Sequence, residues 1–272
     1  MTASRGAALR ACWLLMVAGV VAGLLPGRAQ ADLVQLLPRI KPSIVAVGTY
    51  QRTRNPAFRF MGTGFVIGDG SLVVTNAHVV PDKLASEQME TLVVVLPGGE
   101  HNGQLREVLR LAGDRAHDLA VLRLKEGVLL PALKLAGSEH VQEGVPVAFT
   151  GFPIGGVLGM IPVTHRGIVA AITPIGIPQA SARDLGSALL RRLAGEVPRV
   201  YQLDATAYPG NSGSPLFSTD SGEVIGVVNM VFVKSTKESV LSAPSGISYA
   251  IPVLYLHRLL AELSREPAID SP

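Results

Sequence analysis

The sequence predicts an all-β fold, a barrel or sandwich of short strands. Three observations carry this prediction. Apolar runs of about 4–8 residues recur along the chain, each closed by Gly, Pro, Asn or Asp, which is the pattern of buried strands punctuated by turns. Glycine is abundant, at 29 residues, while aromatics make up only 5%, which suits turns and short strands better than long helices. Strands do not alternate with helical segments, and no internal repeat stands out at the spacing of solenoids or propellers. With 272 residues and 48% apolar content, the chain can bury one large core or two smaller ones.

The first residues read as a targeting segment rather than as part of the fold. Arg5 and Arg10 form a basic start, and an apolar run of 15 residues follows over 11–25. Pro26-Gly27 breaks that run, and Ala29-Gln30-Ala31 is a small-x-small cleavage site. The run is shorter than the ~20 residues a membrane-spanning helix needs. The expectation is a secretory signal peptide over 1–31 and a mature chain starting near Asp32; an uncleaved anchor is the competing reading. The full chain carries 24 Lys+Arg and 21 Asp+Glu, and the signal holds Arg5, Arg10 and Arg28, so 21 basic residues face 21 acidic ones after cleavage. That neutral balance predicts no nucleic-acid binding, which would need a basic patch. The single cysteine, Cys12, lies in the signal, so the mature chain is expected to have neither disulfides nor cysteine-ligated metal.

Taken in order, residues 32–40 read as a short helix or arm. Residues 43–50 form a strand and 51–61 a loop. Gly62 to Ile67 is a strand that turns at Gly68-Asp69-Gly70 into its hairpin partner, 72–76. Ala77 to Val80 turns away before Pro81. Further strands are expected over 91–96, 103–112, 119–124 and 145–150, and one or two over 163–172. A Gly/Pro loop follows at 151–156. Residues 181–193 break the pattern with apolar side chains at helical spacing, a Ser181/Asp184 capping box and Gly195 as a stop. Strands at 200–203 and 224–228 flank the turn Tyr208-Pro209-Gly210-Asn211-Ser212-Gly213-Ser214-Pro215. A last helix starts near Pro252, with Leu254, Leu256, Leu259, Leu260 and Leu263 as its apolar face, and the tail after Glu266 frays.

Three short segments carry chemistry. Around Ser212, small residues let the backbone turn sharply, which exposes a hydroxyl and frees peptide N–H groups to bind an oxyanion. In Thr75-Asn76-Ala77-His78-Val79-Val80, a histidine stands where an apolar strand ends. In His117-Asp118-Leu119-Ala120-Val121-Leu122, an acid opens an apolar strand. Each segment alone has an ordinary explanation, as a turn, a satisfied histidine or a capping aspartate. Together they supply an acyl-transfer set. His78 takes the proton of Ser212, because a neutral hydroxyl is a weak nucleophile. Asp118 holds the imidazole, and the N–H groups of Gly210 and Ser212 face the oxyanion. The chain order His, Asp, Ser is that of the chymotrypsin arrangement.

These three segments resemble the catalytic motifs of trypsin-like serine proteases, and most closely those of the bacterial HtrA/Deg family. Gly62-Thr63-Gly64-Phe65, Gly151-Phe152-Pro153 and Ser248-Tyr249-Ala250-Ile251-Pro252 are further landmarks, and the similarity runs over roughly residues 35–262. The resemblance implies two perpendicular six-stranded Greek-key barrels with the active site between them and a terminal helix. The first barrel, with His78 and Asp118, would occupy 32–135. The second, with Ser212 and the helix, would occupy 136–266, leaving 267–272 as a tail. The lack of disulfides counts against the disulfide-rich secreted proteases of animals and fits a bacterial periplasm or secretion. Members of the family often carry C-terminal PDZ domains; the expectation here is a protease domain without them. Ser214 stands where the family has a second glycine. Pro209, with its fixed φ, precedes the oxyanion glycine and is expected to narrow switching of that loop.

In trypsin-like folds the residue six before the nucleophile floors the primary pocket. That residue is Thr206, so cleavage after Lys or Arg is not expected. Asn229-Met230-Val231 corresponds to the strand that pairs with substrate backbone by β-augmentation. Met230 and Val231 suggest a medium apolar pocket. The predicted activity is a serine endopeptidase that cleaves unfolded or extended chains after residues such as Val, Ala or Leu. The alternatives are a latent or inactive peptide-binding, chaperone-like protein on the same scaffold, and a processing protease with one substrate. No cofactor and no metal are expected, since no His-Glu-x-x-His motif occurs. Partners are protein or peptide substrates, with no stable membrane insertion after signal cleavage; the resemblance also points to a homo-oligomer, a trimer being common in the family. The 181–194 segment reads either as a surface helix or as a regulatory or oligomer contact.

Overall fold

The computed structural model describes residues 33–96, 104–125, 129–139, 141–154, 160–174, 198–229 and 246–265. The proposed signal, the whole helical segment at 181–194 and the tail lie outside these residues. An opening helix, α1 (Leu33–Ile40), buries Leu36 and Ile40, and a short turn at Lys41–Ser43 leads into the first strand.

Among the described residues, twelve strands close into two barrels. The first comprises β1 (Ile44–Tyr50), β2 (Phe58–Ile67), β3 (Leu72–Thr75), β4 (Thr91–Val95), β5 (Leu105–Asp114) and β6 (Leu119–Leu124), ordered β1-β2-β3-β6-β5-β4. The second comprises β7 (Pro146–Gly151), β8 (Val163–Pro174), β9 (Arg199–Asp204), β10 (Pro215–Ser218), β11 (Val224–Asn229) and β12 (Ile247–Pro252), ordered β10-β11-β12-β9-β8-β7. All pairings within both are antiparallel. Closure leaves neither sheet with a free edge. The double-barrel expectation therefore holds.

Each barrel has its own apolar filling. Val45, Val47, Val66, Val73, Val94 and Leu122 pack in the first. Phe149, Val169, Tyr201, Leu203, Leu216 and Val228 pack in the second. The β-branched residues that dominate the first core fit the pleated surface of a strand. The terminal helix, α2 (Val253–Arg265), begins directly after Pro252 and buries Val253, Tyr255, Leu256 and Leu259.

Two readings change. The loop expected over 51–61 ends earlier, because β2 already pairs from Phe58, opposite Tyr50. Gly48 permits this: a Cβ there would lie 2.2 Å from the Arg59 carbonyl oxygen and 2.7 Å from the Phe58 ring, and the register shifts beside it. The serine turn gives way at Pro215 to a strand the sequence does not announce, β10, which pairs with β7 and β11.

Candidate active site

His78 and Asp118 come together at neighbouring strand ends. β3 and β6 pair through Thr75 and Ala120, so the residues following one and preceding the other meet at the same rim. His78 lies on the short turn Ala77–Val79 that β3 runs into. Asp118 adopts φ +54°, a left-handed conformation uncommon for a residue with a side chain. Its carbonyl accepts the Ala77 N–H at 3.1 Å and Asn76 Nδ2 at 3.0 Å. Its carboxylate accepts the His78 N–H at Oδ1 (2.8 Å), and Oδ2 lies 2.6 Å from His78 Nδ1. Asn229, at the buried end of β11, donates from Nδ2 to Oδ2 at 2.7 Å. Such charge-assisted contacts are the strong class of hydrogen bond. An ionised carboxylate beside Nδ1 favours the proton there, which leaves Nε2 as the basic nitrogen.

The serine turn is held from both barrels. Within it, Asn211 donates its N–H to Tyr208 O (2.9 Å) and Ser214 to Asn211 O (3.0 Å). Gly213 donates to Val228 O (3.0 Å), and Val228 donates back to Ser214 O (2.9 Å). Gly210 has φ +102° and Gly213 φ +87°; a Cβ at Gly213 would lie 2.0 Å from Thr63 O. Ile154, after β7, donates to Pro209 O at 2.7 Å. Ser212 is 6% exposed, and its carbonyl accepts the Thr63 N–H at 2.8 Å. Among the described residues, no acceptor takes the N–H of Gly210 or of Ser212, and the Ser212 hydroxyl makes no hydrogen bond. Catalytic hydrogen bonds often tighten only when substrate binds.

Thr63 is the junction. Its hydroxyl donates to Gly210 O at 2.7 Å and accepts the Phe152 N–H at 3.0 Å. Its carbonyl accepts the Thr75 hydroxyl at 2.6 Å. One fully buried side chain of β2 thus ties the serine turn to the β7 terminus, while its backbone ties both to β3.

The remaining sequence candidates fare unequally. Thr206 is half-buried in the connection between β9 and the serine turn. Asn229, expected to face substrate, directs its side-chain amide at Asp118. Met230 and Val231 lie outside the described residues. Asn76 and the Thr63 hydroxyl were not assigned roles from sequence; the only signal was a buried-looking polar residue within an apolar strand. Behind the turn, the His165 ring stacks on Phe149 (centroids 5.0 Å apart) and tilts against Tyr208 (5.9 Å), and burial pushes its pKa down. Among the described residues no group of His, Cys, Asp and Glu could hold a metal ion.

Comparison with known proteins agrees with this arrangement. The model of the trypsin-like peptidase domain matches residues 62–227. A probable periplasmic serine endoprotease, DegP-like, from Halomonas elongata is 33% identical over 195 residues, covering 72% of this chain and 33% of that protein. The human serine protease HTRA3 is 29% identical over 246 residues, covering 88% of this chain and 46% of that protein. The crystal structure of the serine endoprotease from Yersinia pestis superposes with a TM-score of 0.58 at 26% identity, covering 86% of this chain and 66% of that one. The chain spans about a third to a half of the length of these curated relatives. The match over both barrels, with the three motif segments at the rim where their strands end, means that the chain belongs to the trypsin-like peptidase family, and the curated relatives it resembles carry DegP and HTRA names.

Proposed function

We propose that the chain is a serine endopeptidase working through His78, Asp118 and Ser212. The observation that carries this is the His78–Asp118 contact, held by Asn229, beside a serine turn whose Gly210 and Ser212 N–H groups have no acceptor among the described residues. In this reading, His78 Nε2 removes the Ser212 proton as Oγ attacks the scissile carbonyl. The oxyanion forms against the Gly210 and Ser212 N–H groups. Asp118 stabilises the resulting imidazolium without itself taking the proton. His78 then protonates the leaving amine, and water repeats the sequence on the acyl-enzyme. Loss of one oxyanion donor of this kind costs about 10²–10³ in kcat.

The substrates are unfolded or extended protein segments that meet the Asn229-Met230-Val231 segment through their backbone and are cleaved after small or medium aliphatic residues. Thr206 supports this preference because it offers no carboxylate to a basic side chain. The setting is periplasmic or secreted, which the amino-terminal signal pattern and the name of the Halomonas elongata relative support. Among the described residues no helix is long and apolar enough to cross a membrane.

The test is labelling with a fluorophosphonate probe, against a Ser212→Ala control. Rapid labelling that vanishes in the control supports the endopeptidase, and profiling with a peptide library then reads the preference. A library dominated by Lys or Arg cleavage would overturn the specificity. A folded chain that never labels would favour the competing reading, a peptide-binding protein on this scaffold.

A further inference from the structure

The turn that delivers Asp118 is gripped by groups the chemistry above does not use. Asp114 ends β5, and its Oδ1 accepts the N–H of Ala116 (2.8 Å) and of His117 (3.1 Å). Its Oδ2 contacts His117 Nδ1 at 2.5 Å. Burial would raise the Asp114 carboxyl, but the hydrogen bonds from His117 and Ala116 outweigh it and hold its pKa below the usual value. The His117 ring lies flat against Tyr255 of α2, with centroids 4.0 Å apart and planes 18° from parallel. Tyr255 is 5% exposed and its hydroxyl accepts the Arg199 N–H at 2.9 Å, so the ring is fixed in the second barrel. Arg258 also lies over that ring, 5.6 Å from its centroid.

The next residue is Asp118, at φ +54°. A non-glycine residue in this region is uncommon and persists where its surroundings hold it there. On the far side, Asn76 and Ala77 hold the Asp118 carbonyl. On the near side, the preceding residue is His117, clasped by Asp114 and covered by Tyr255. Without it, the turn can relax toward an ordinary φ and carry the carboxylate off the His78 imidazole.

We infer that His117 is a positioning residue for the catalytic acid, and that Tyr255 couples the terminal helix of the second barrel to the His78–Asp118 pair of the first. The inference rests on the proposed role of Asp118, and its consequence is specific. A misplaced carboxylate holds the imidazolium less well, so the histidine must titrate at lower pH even as the enzyme slows.

The experiment measures the rate of fluorophosphonate labelling against pH, with melting temperature in parallel, for the wild-type chain and for His117→Ala, His117→Phe, Tyr255→Phe and Asp118→Asn. The expected result for His117→Ala is labelling slowed about tenfold, with the midpoint of the acid limb moved down by about half a pH unit or more. His117→Phe keeps a ring against Tyr255 and recovers part of the rate. Tyr255→Phe keeps the stack and leaves the limb in place. A His117→Ala chain that melts earlier but keeps the wild-type limb and rate overturns the inference, because its role is then only structural. So does a His117→Phe chain no better than His117→Ala. Wild-type labelling by Asp118→Asn would instead sink the catalytic reading itself, whatever the His117 variants do.

Discussion

Replacing Thr63 with valine removes one oxygen from a buried junction and leaves the shape almost unchanged. That oxygen donates to Gly210 O at 2.7 Å and accepts from the Phe152 N–H at 3.0 Å. The Thr63 backbone contacts to Ser212 and Thr75 remain available. In the variant, the Gly210 carbonyl and the Phe152 amide each lose this partner. A buried group left unsatisfied costs about 1–3 kcal/mol, so the two together cost about 2–6 kcal/mol if nothing moves. The structure can recover part of that only by shifting the peptide between Gly210 and Asn211 or the end of β7. Either shift moves the Gly210 N–H relative to Ser212. Stability and catalysis therefore share the cost. If only a third of the lower bound, about 0.7 kcal/mol, falls on the transition state, labelling slows about threefold; at half of the upper bound it slows more than a hundredfold. The assay is the second-order rate of fluorophosphonate labelling, with thermal melting alongside. Thr63→Ser, which keeps the hydroxyl, should label close to wild type. A Thr63→Val chain that melts and labels like wild type would refute the argument that this hydroxyl sets the serine turn.

Further outcomes follow from the same geometry. Asn229→Ala removes the 2.7 Å bond to Asp118 and should lower kcat about tenfold with KM little changed; a variant altered only in its cleavage preference would return Asn229 to the substrate-facing role. Gly213→Ala places a Cβ 2.0 Å from Thr63 O at φ +87°, and should abolish labelling and lower the melting temperature, read by the same two measurements. Glu90 has a pKa lowered to about 2 by hydrogen bonds involving Thr49, the Ala85 N–H and Arg54, with burial opposing. A depressed carboxylate contributes stability above its unfolded pKa and loses it as pH falls toward the folded one. Denaturant melts should therefore show stability declining between about pH 4.5 and pH 2, a decline that Glu90→Gln reduces.

The candidate triad was legible because each member sits in a short, self-contained signal, an apolar strand ending in a small residue or a tight turn. The strands were legible for the same reason. What sequence could not display is contact between distant segments. The Thr63 hydroxyl joins residues 147 and 89 positions away, and Asn229 reaches Asp118 across 111. Nothing in their own neighbourhoods announces either partner. The early start of β2 was hidden by the Arg and Pro residues around it, and depends on the missing side chain at Gly48. The His117–Tyr255 stack, between β5–β6 and the terminal helix, was likewise invisible to local patterning.

β12, the last of the described strands in chain order, is also the one that closes the second barrel, because it pairs with both β9 and β11. The turn bearing Ser212 is anchored to β11 through Gly213 and Val228. A ribosome that has already released His78 and Asp118 has thus produced only half of the candidate site. Closure of the barrel that carries the serine turn has to wait for residues near 250. The order of synthesis itself therefore places completion of the candidate site well after its first two members, His78 and Asp118, have been made.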